Sequence, residues 1–141
     1  MVGRLATIVT VAGVLVSCGG GPKANELRLW SDNYAFRVTV TPTPPRALEP
    51  AVYRVVVQDK KTGQPIETGE GRVFATSADR ASTNDGFKKE KELGTYSGRL
   101  FYPTTGDWAA AIQFRADKDP RKPLERVDWI QTVRPATEPG T

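Results

Sequence analysis

Cys18 is the only cysteine of the chain, and its position points to a specific reaction. Leu15, an aliphatic residue, stands three positions before this thiol, and the small Ser17 directly precedes it after Val16. Cleavage in front of a cysteine whose sulfur carries lipid requires this spacing, directly after an apolar signal segment. We therefore predict that residues 1–17 are removed and that Cys18 carries covalent lipid.

The segment before this motif has the length of a secretory signal. Arg4 supplies one positive charge, and residues 5–16 are apolar apart from Thr7, Thr10 and Gly13. An apolar core of about 7–15 residues is typical of a signal peptide, whereas a spanning helix needs about 20. The pattern favours a lipoprotein signal peptide. The alternatives are a retained transmembrane helix and an ordinary signal peptide with a free cysteine nearby.

The residues after Cys18 predict a tether and a location. Residues 18–25 comprise the acylated cysteine and a short flexible linker, Gly-Gly-Gly-Pro-Lys-Ala-Asn. Gly19 rather than aspartate follows the cysteine, which is the default pattern for export to the outer membrane of bacteria. We expect a protein of the bacterial cell envelope that is anchored by lipid and faces the periplasm, with the periplasmic face of the inner membrane as the alternative.

Composition excludes several classes of function. Removal of residues 1–17 deletes Arg4 alone among the charged residues, so the mature chain keeps 19 basic and 16 acidic side chains. This excess is small and dispersed, so we expect no nucleic-acid partner. The chain has no histidine, and acylation would consume its thiol, so the usual nucleophile–base pairs cannot form. We expect no catalysis, no metal and no cofactor besides the lipid.

Period-two alternation of apolar residues recurs along the chain and predicts strands. The predicted strands cover residues 34–41, 51–58, 72–77, 87–93, 94–102, 107–116 and 126–134. About seven short strands separated by turn signals favour an all-β, immunoglobulin-like antiparallel sandwich of two sheets. We expect this domain to span residues 26–135 and a flexible C-terminal tail to span residues 136–141.

Three connections between the strands carry further expectations. Residues 42–50 contain four prolines, which predicts a stiff segment that crosses from one sheet to the other. Asn84-Asp85-Gly86 predicts a turn. Residues 103–106 predict the turn of a hairpin between the strands over 94–102 and 107–116.

Part of the predicted domain resembles a known family. The pattern consists of Gly94, Tyr96, Leu100, Phe101, Gly106 and Trp108, preceded by Tyr53, Val55, Val57, Asp59, Thr62, Gly63, Pro65 and Ile66. It is similar to small periplasmic immunoglobulin-like domains of the FixH and YtkA-like kind, over roughly residues 50–116. In that family some members accompany assembly of respiratory oxidases, and relatives handle copper through histidine and methionine. This chain has no histidine and its single methionine is the initiator, so the resemblance implies fold and location without a copper site.

Four residues are candidates for contact with a partner protein: Trp30, Arg54, Arg99 and Arg115. Trp30 either packs beneath the sandwich or enters a groove of a partner, where tryptophan is a favoured anchor. Arg99 and Arg115 are predicted on the outward faces of paired strands, where they would form a basic patch with Arg54. A solvated sheet face is the alternative.

The expected function is that of a non-catalytic accessory or binding subunit. The lipid would hold the domain at a membrane, where it docks on a larger membrane protein complex. Family analogy points to a respiratory or photosynthetic assembly. The alternatives are a periplasmic carrier of a ligand or metal and a free-standing structural lipoprotein of the envelope.

Overall fold

The computed structural model describes residues 25–138, and these form two antiparallel β-sheets that pack face to face. The motif at Leu15–Cys18 and residues 19–24 lie outside the described residues. The strands are β1 (Leu27–Trp30), β2 (Tyr34–Thr41), β3 (Pro50–Asp59), β4 (Gly69–Thr76), β5 (Ser82–Gly86), β6 (Lys88–Lys89), β7 (Thr95–Phe101), β8 (Gly106–Ala116) and β9 (Glu125–Val133).

The strand order confirms the predicted immunoglobulin-like sandwich. The larger sheet has the order β1-β2-β3-β7-β6, and the smaller sheet has the order β5-β4-β8-β9. Without β1 and β5, this arrangement is the four-plus-three strand order of an immunoglobulin domain. The structure adds β1 at one edge and divides the polar region after β4 into β5 and β6. Within residues 25–138 no helix has the length and apolar character to cross a bilayer.

The core lies between the two sheets, where strict alternation places one side of each strand. On β3, which is the middle strand of the larger sheet, Tyr53, Val55 and Val57 are fully buried. Across the gap, Trp108 and Phe114 on β8 are equally buried. Aromatic rings fill much of this space in edge-to-face contacts, with centroids separated by 5.1–6.2 Å. Burial of these side chains fixes which face of each strand points inward.

The proline-rich segment does not cross between the sheets, so that prediction is wrong. Residues 42–49 join β2 to β3, which are neighbours in the larger sheet. The segment folds against the end of the sandwich, where Ala47 N–H donates to the carbonyl of Arg134 at 2.8 Å and Leu48 N–H donates to that of Tyr102 at 2.8 Å. Prolines prevent a ladder within the segment, but these two N–H groups find acceptors on the residues that directly follow β7 and β9.

The predicted hairpin over residues 94–116 is also wrong. β7 lies in the larger sheet and β8 lies in the smaller one, so residues 102–105 cross between the sheets. Trp108 is buried as predicted, and its Nε1–H donates to the carbonyl of Thr104 at 3.1 Å. Gly106 has a φ of +108°, which suits glycine at this corner. The hairpin partner of β8 is β9.

The polar region after β4 differs from the prediction in detail. Asn84-Asp85-Gly86 is the end of β5 and pairs with β4, so it is no turn. The predicted strand over residues 87–93 is reduced to β6. On β4 itself, Val73 and Ala75 are the buried residues, whereas Phe74 faces outward beneath the guanidinium of Arg72, 4.3 Å from the ring centroid.

β5 also closes an exposed edge of the other sheet. β6 covers β7 only at Ser97 and Tyr96. Farther along the same edge, Asp85 Oδ2 accepts the N–H of Arg99 at 2.8 Å, and Thr83 Oγ1 accepts the N–H of Phe101 at 3.1 Å. Side chains of one sheet thereby satisfy edge N–H groups of the other, and an open edge of this kind invites pairing with other chains.

Candidate functional site

The structure places three of the four residues predicted as partner contacts on one face of one sheet. Trp30 on β1, Arg54 on β3 and Arg99 on β7 all lie on the outward face of the larger sheet. Trp30 is 60% exposed, so it does not pack beneath the sandwich. Arg115 lies on β8, in the smaller sheet. The predicted patch of Arg54, Arg99 and Arg115 is therefore wrong, because β7 and β8 belong to different sheets.

Arg115 has a local structural partner instead. It lies directly opposite Glu70 in the pairing of β4 with β8. Its Nη2 and Nε lie 2.5 Å and 2.6 Å from Glu70 Oε1. An ion pair at directly opposed positions supports the pairing of two antiparallel strands. Arg115 thus contributes to the smaller sheet.

Two arginines that sequence reasoning did not select complete the outward face of the larger sheet. Arg28 on β1 lies opposite Arg37 on β2, and Arg37 also lies opposite Val56 on β3. Arg37 occupies an outward position of a predicted strand, the same signal that singled out Arg99, whereas no strand was predicted over β1 and Arg28 had no such signal. We call the outward surface formed by Arg28, Arg37, Arg54 and Arg99 the arginine face.

Apolar side chains accompany the basic groups on this surface. Val52 lies opposite Arg99 and is 37% exposed, and the neighbouring Phe101 is 49% exposed. Trp30 is exposed on the opposite edge strand of the same sheet. Arginine and aromatic side chains are enriched at the centres of protein–protein interfaces.

An alternative site is a cavity of about 550 Å³ at the end of the sandwich where β2 begins and β3 ends. Four carboxylates line it, those of Asp59, Glu67, Asp117 and Glu125. Each accepts hydrogen bonds from the protein itself, and these bonds lower the pKa of all four carboxyls. The bonds to Glu125 from Asn33 and Ser31 outweigh its partial burial, which acts in the opposite direction. Among the described residues no three acidic, histidine or cysteine side chains are placed to hold a metal ion.

The arginine face contains a cavity of its own, with a volume of about 520 Å³. Two arginines and three threonines contribute most of its polar lining: Arg37, Arg54, Thr39, Thr41 and Thr95. Thr39 lies directly opposite Arg54 in the pairing of β2 with β3. Glu26, Glu92, Val56 and Leu93 complete the wall. The Thr95 hydroxyl already donates to the carbonyl of Leu93 at 3.0 Å. The hydrogen-bond donors that the lining offers to the cavity are therefore the guanidinium groups and the hydroxyls of Thr39 and Thr41.

Two of the surrounding arginines already have acidic partners. Arg54 Nη2 lies 3.3 Å from Glu92 Oε1, and Arg28 Nε lies 3.4 Å from Glu26 Oε1. A hydrogen bond from its own backbone N–H and the charge of Arg54 lower the pKa of Glu92. Glu92 is therefore ionised at neutral pH, and it occupies part of the donor capacity of Arg54.

Arg37 has no such partner. Its Nε is the one buried side-chain nitrogen or oxygen within residues 25–138 that forms no hydrogen bond. None of the ion pairs between described residues includes Arg37 either. A buried donor without an acceptor costs about 1–3 kcal/mol. The guanidinium of Arg37 thus lines the cavity with unused donor capacity.

Comparisons with known proteins support the fold alone. No family model matches the chain, and no curated protein matches it. Among solved structures, a DUF4426 family protein from Pseudomonas aeruginosa is similar, with a TM-score of 0.59 and 12% identity over 80% of this chain and 98% of that one. The filamin domain of Lin-41 is also similar, with a TM-score of 0.51 and 14% identity over 70% of this chain and 91% of that one. Both neighbours are immunoglobulin-like.

Proposed function

We propose that this chain is a lipid-anchored, non-catalytic binding subunit of the bacterial envelope that docks on a larger membrane protein complex. The observation that carries the docking is the arginine face, where basic side chains lie beside exposed Trp30 and Phe101. The observation that supports the anchor is the motif at Leu15–Cys18. The resemblance to FixH and YtkA-like domains adds a class of partner, a respiratory or photosynthetic assembly, by analogy only.

The position of the first described residue fits such an anchor. Asn25 lines a small cavity together with Thr43 and Pro44, so the described chain begins near the proline-rich end of the larger sheet. Seven residues lead from Cys18 to Asn25, and an extended chain spans at most about 3.5 Å per residue. Lipid on Cys18 would keep the sandwich within roughly 25 Å of the bilayer. Such confinement raises the effective concentration of membrane neighbours.

The intact mass of protein extracted from membranes tests the anchor. We expect the wild type to lack residues 1–17 and to carry two or three acyl chains. Cys18→Ser removes the acylated sulfur, so its mass should show no acyl chain. Ser17→Ala is the matched control, because it keeps a small residue before the thiol and should be processed normally. A full-length, unmodified wild-type mass would mean that residues 1–17 are retained.

Native extraction in mild detergent tests the docking. We expect the wild type to migrate with a large complex and the double variant R54E/R99E to lose that association. R80E/R121E is the matched control, because it makes the same change of charge on exposed arginines in loops outside the larger sheet. Migration of the wild type as a free small protein would contradict the proposed function.

A further inference from the structure

We propose that the cavity of the arginine face binds a carboxylate, supplied by an acidic side chain of the docking partner, and that Arg37 is its principal ligand. This inference rests on the proposed function and names the chemistry of the contact. It concerns the space between Arg37, Thr39 and Arg54 on neighbouring strands of the larger sheet.

Arg37 is the principal candidate ligand because its guanidinium is charged and partly buried and has hydrogen-bond donors without acceptors. Arginine cannot lose its charge in a protein, so burial leaves the guanidinium in need of acceptors. Its Nε donates no hydrogen bond, and Arg37 forms no ion pair with another described residue. The neighbouring Arg28 and Arg54 differ, since each faces a glutamate. Arg37 is therefore the group of this surface that gains most from an added anion.

The wall of the cavity favours a carboxylate over a phosphate. Glu26 and Glu92 line the same cavity and place two negative charges around it. Their repulsion grows with the charge of the ligand, so it opposes a phosphate dianion more than a single carboxylate. A planar guanidinium also matches a carboxylate through two parallel hydrogen bonds. The Thr39 hydroxyl, opposite Arg54 in the ladder, is a further donor.

The surroundings of the cavity favour an acidic side chain of a protein. Leu93 is 68% exposed at the wall, and Val56 forms another apolar part of the lining. These side chains offer contact to the methylene groups of a glutamate or aspartate. Val52 and Phe101 extend the apolar surface along the same face of the sheet. A carboxylate attached to a protein would use both the donors and this apolar border.

Titration followed by NMR on the side chain of Arg37 tests the binding chemistry directly. The full chain, labelled with ¹⁵N and solubilised in detergent, is titrated at constant ionic strength with N-acetylglutamate α-amide. The neutral glutamine analogue and inorganic phosphate serve as comparison probes. We expect a saturable shift of the Arg37 Nε–H signal with the glutamate probe, no saturable shift with the glutamine analogue and weaker binding of phosphate.

Substitution of Arg37 separates this site from a general effect of charge. Arg37→Lys keeps the charge but loses the planar pair of donors, so we expect binding, followed by backbone amides of Thr39 and Arg54, to weaken by about tenfold. Arg126→Lys is the matched control on the other sheet and should bind as the wild type does. Absence of saturation at roughly 0.1 M probe, equal binding by R37K, or tighter binding of phosphate would each overturn the assignment.

The source of the carboxylate is tested with the native complex. If an acidic side chain of the partner fills the cavity, R37K should weaken co-migration with the complex. If R37K binds the glutamate probe weakly but co-migrates as the wild type does, the cavity serves free small carboxylates and the assignment to a partner is wrong. The titration requires neither anchor nor partner, so its failure is distinguishable from failure of the proposed function.

Discussion

At the level of single residues, the hydroxyls of Tyr53 and Tyr102 bond to each other, but only one of them has a second hydrogen-bond partner. Both side chains are fully buried, and their hydroxyl oxygens lie 2.5 Å apart. The Tyr53 hydroxyl also lies 3.2 Å from Gln131 Oε1, whereas Tyr102 has no second side-chain partner within the described chain. We expect Tyr53→Phe to lower the free energy of unfolding by about 1–3 kcal/mol, because it leaves a buried hydroxyl without a partner.

The same substitution in the other tyrosine of the pair is the control for this prediction. Tyr102→Phe leaves the Tyr53 hydroxyl bonded to Gln131, so we expect a loss of only about 0.5–1.5 kcal/mol. Y53F/Y102F should cost less than the sum of the two single variants, since no orphaned hydroxyl remains. Urea unfolding measures all three. Equal losses for the two single variants would contradict the proposed roles of the two hydroxyls.

Buried tyrosines also predict a loss of stability at alkaline pH. Burial raises the pKa of Tyr102 to about 12, and burial together with the charges of Glu67 and Asp117 raises that of Tyr96 to about 12. Tyrosine in the unfolded chain ionises near pH 10. Between these values the unfolded state releases protons that the folded state keeps, so stability falls from about pH 10 to about pH 12. Chemical unfolding at successive pH values measures this decline.

Removal of one titrating group is the control for the alkaline decline. Tyr102→Phe should make it shallower, because one raised pKa is gone. A stability curve that stays flat between about pH 9 and pH 11 in the wild type would contradict the shifted tyrosines.

The sequence predicted which residues of the candidate site face outward, but it did not predict which of them lie on the same sheet. Alternation placed Arg99 and Arg115 on outward faces, and the structure has both there, together with Arg54. Which of them share a sheet depends on strand order, and that order separates Arg115 from the other two. The unpaired state of Arg37 depends on neighbours from β1 and β3, so no local pattern could reveal it.

At the level of elements, burial was predictable and pairing was not. The alternation in β8 predicted Trp108 and Phe114 inside, because a strand that packs on a core must bury one face. The same alternation holds for any neighbour, so it did not show that β7 and β8 lie in different sheets. The prediction that the proline-rich segment crosses between the sheets failed for the same reason. Prolines exclude ladder pairing within the segment, but they do not determine which sheet the next strand joins.

The edge contact between β5 and β7 gives a prediction at this level. Asp85→Ala removes the acceptor of the Arg99 N–H, which faces the edge that β6 leaves open. We expect the protection of this amide from hydrogen exchange to fall by about tenfold, since such a bond contributes roughly 1–1.5 kcal/mol. Amide exchange resolved at Arg99 measures the change.

Two comparisons test whether the acceptor is responsible. Asp85→Asn keeps a carbonyl oxygen at the same place and should retain most of the protection. The amide of Phe101, bonded to Thr83, should change less than that of Arg99 in D85A. If D85A leaves the exchange of Arg99 unchanged, the side chain of Asp85 does not protect the edge of β7.

For the whole molecule, we expect the outward faces of the two sheets to differ in their contacts with partner proteins. The arginine face includes Val52, which is 37% exposed, and the outward face of the smaller sheet includes Ile130, which is 67% exposed. Exposed apolar side chains therefore occur on both faces, and exposure alone does not identify a contact surface. The larger sheet is distinguished by Arg99 opposite Val52, by Arg54 two residues along the same strand, and by the unused donors of Arg37.

A photoreactive amino acid at either position tests this asymmetry in intact cells. With the crosslinker at Val52 we expect a discrete adduct with a membrane protein. The lipid on Cys18 would hold the domain near its partner, and this face would contact that partner. With the crosslinker at Ile130 we expect little or no adduct, although that position is more exposed. Cys18→Ser in the Val52 background should reduce the adduct, because the effective concentration of the partner falls without the anchor. Equal adducts from the two positions would show that neither face is preferred, and a strong adduct from Ile130 alone would assign docking to the smaller sheet.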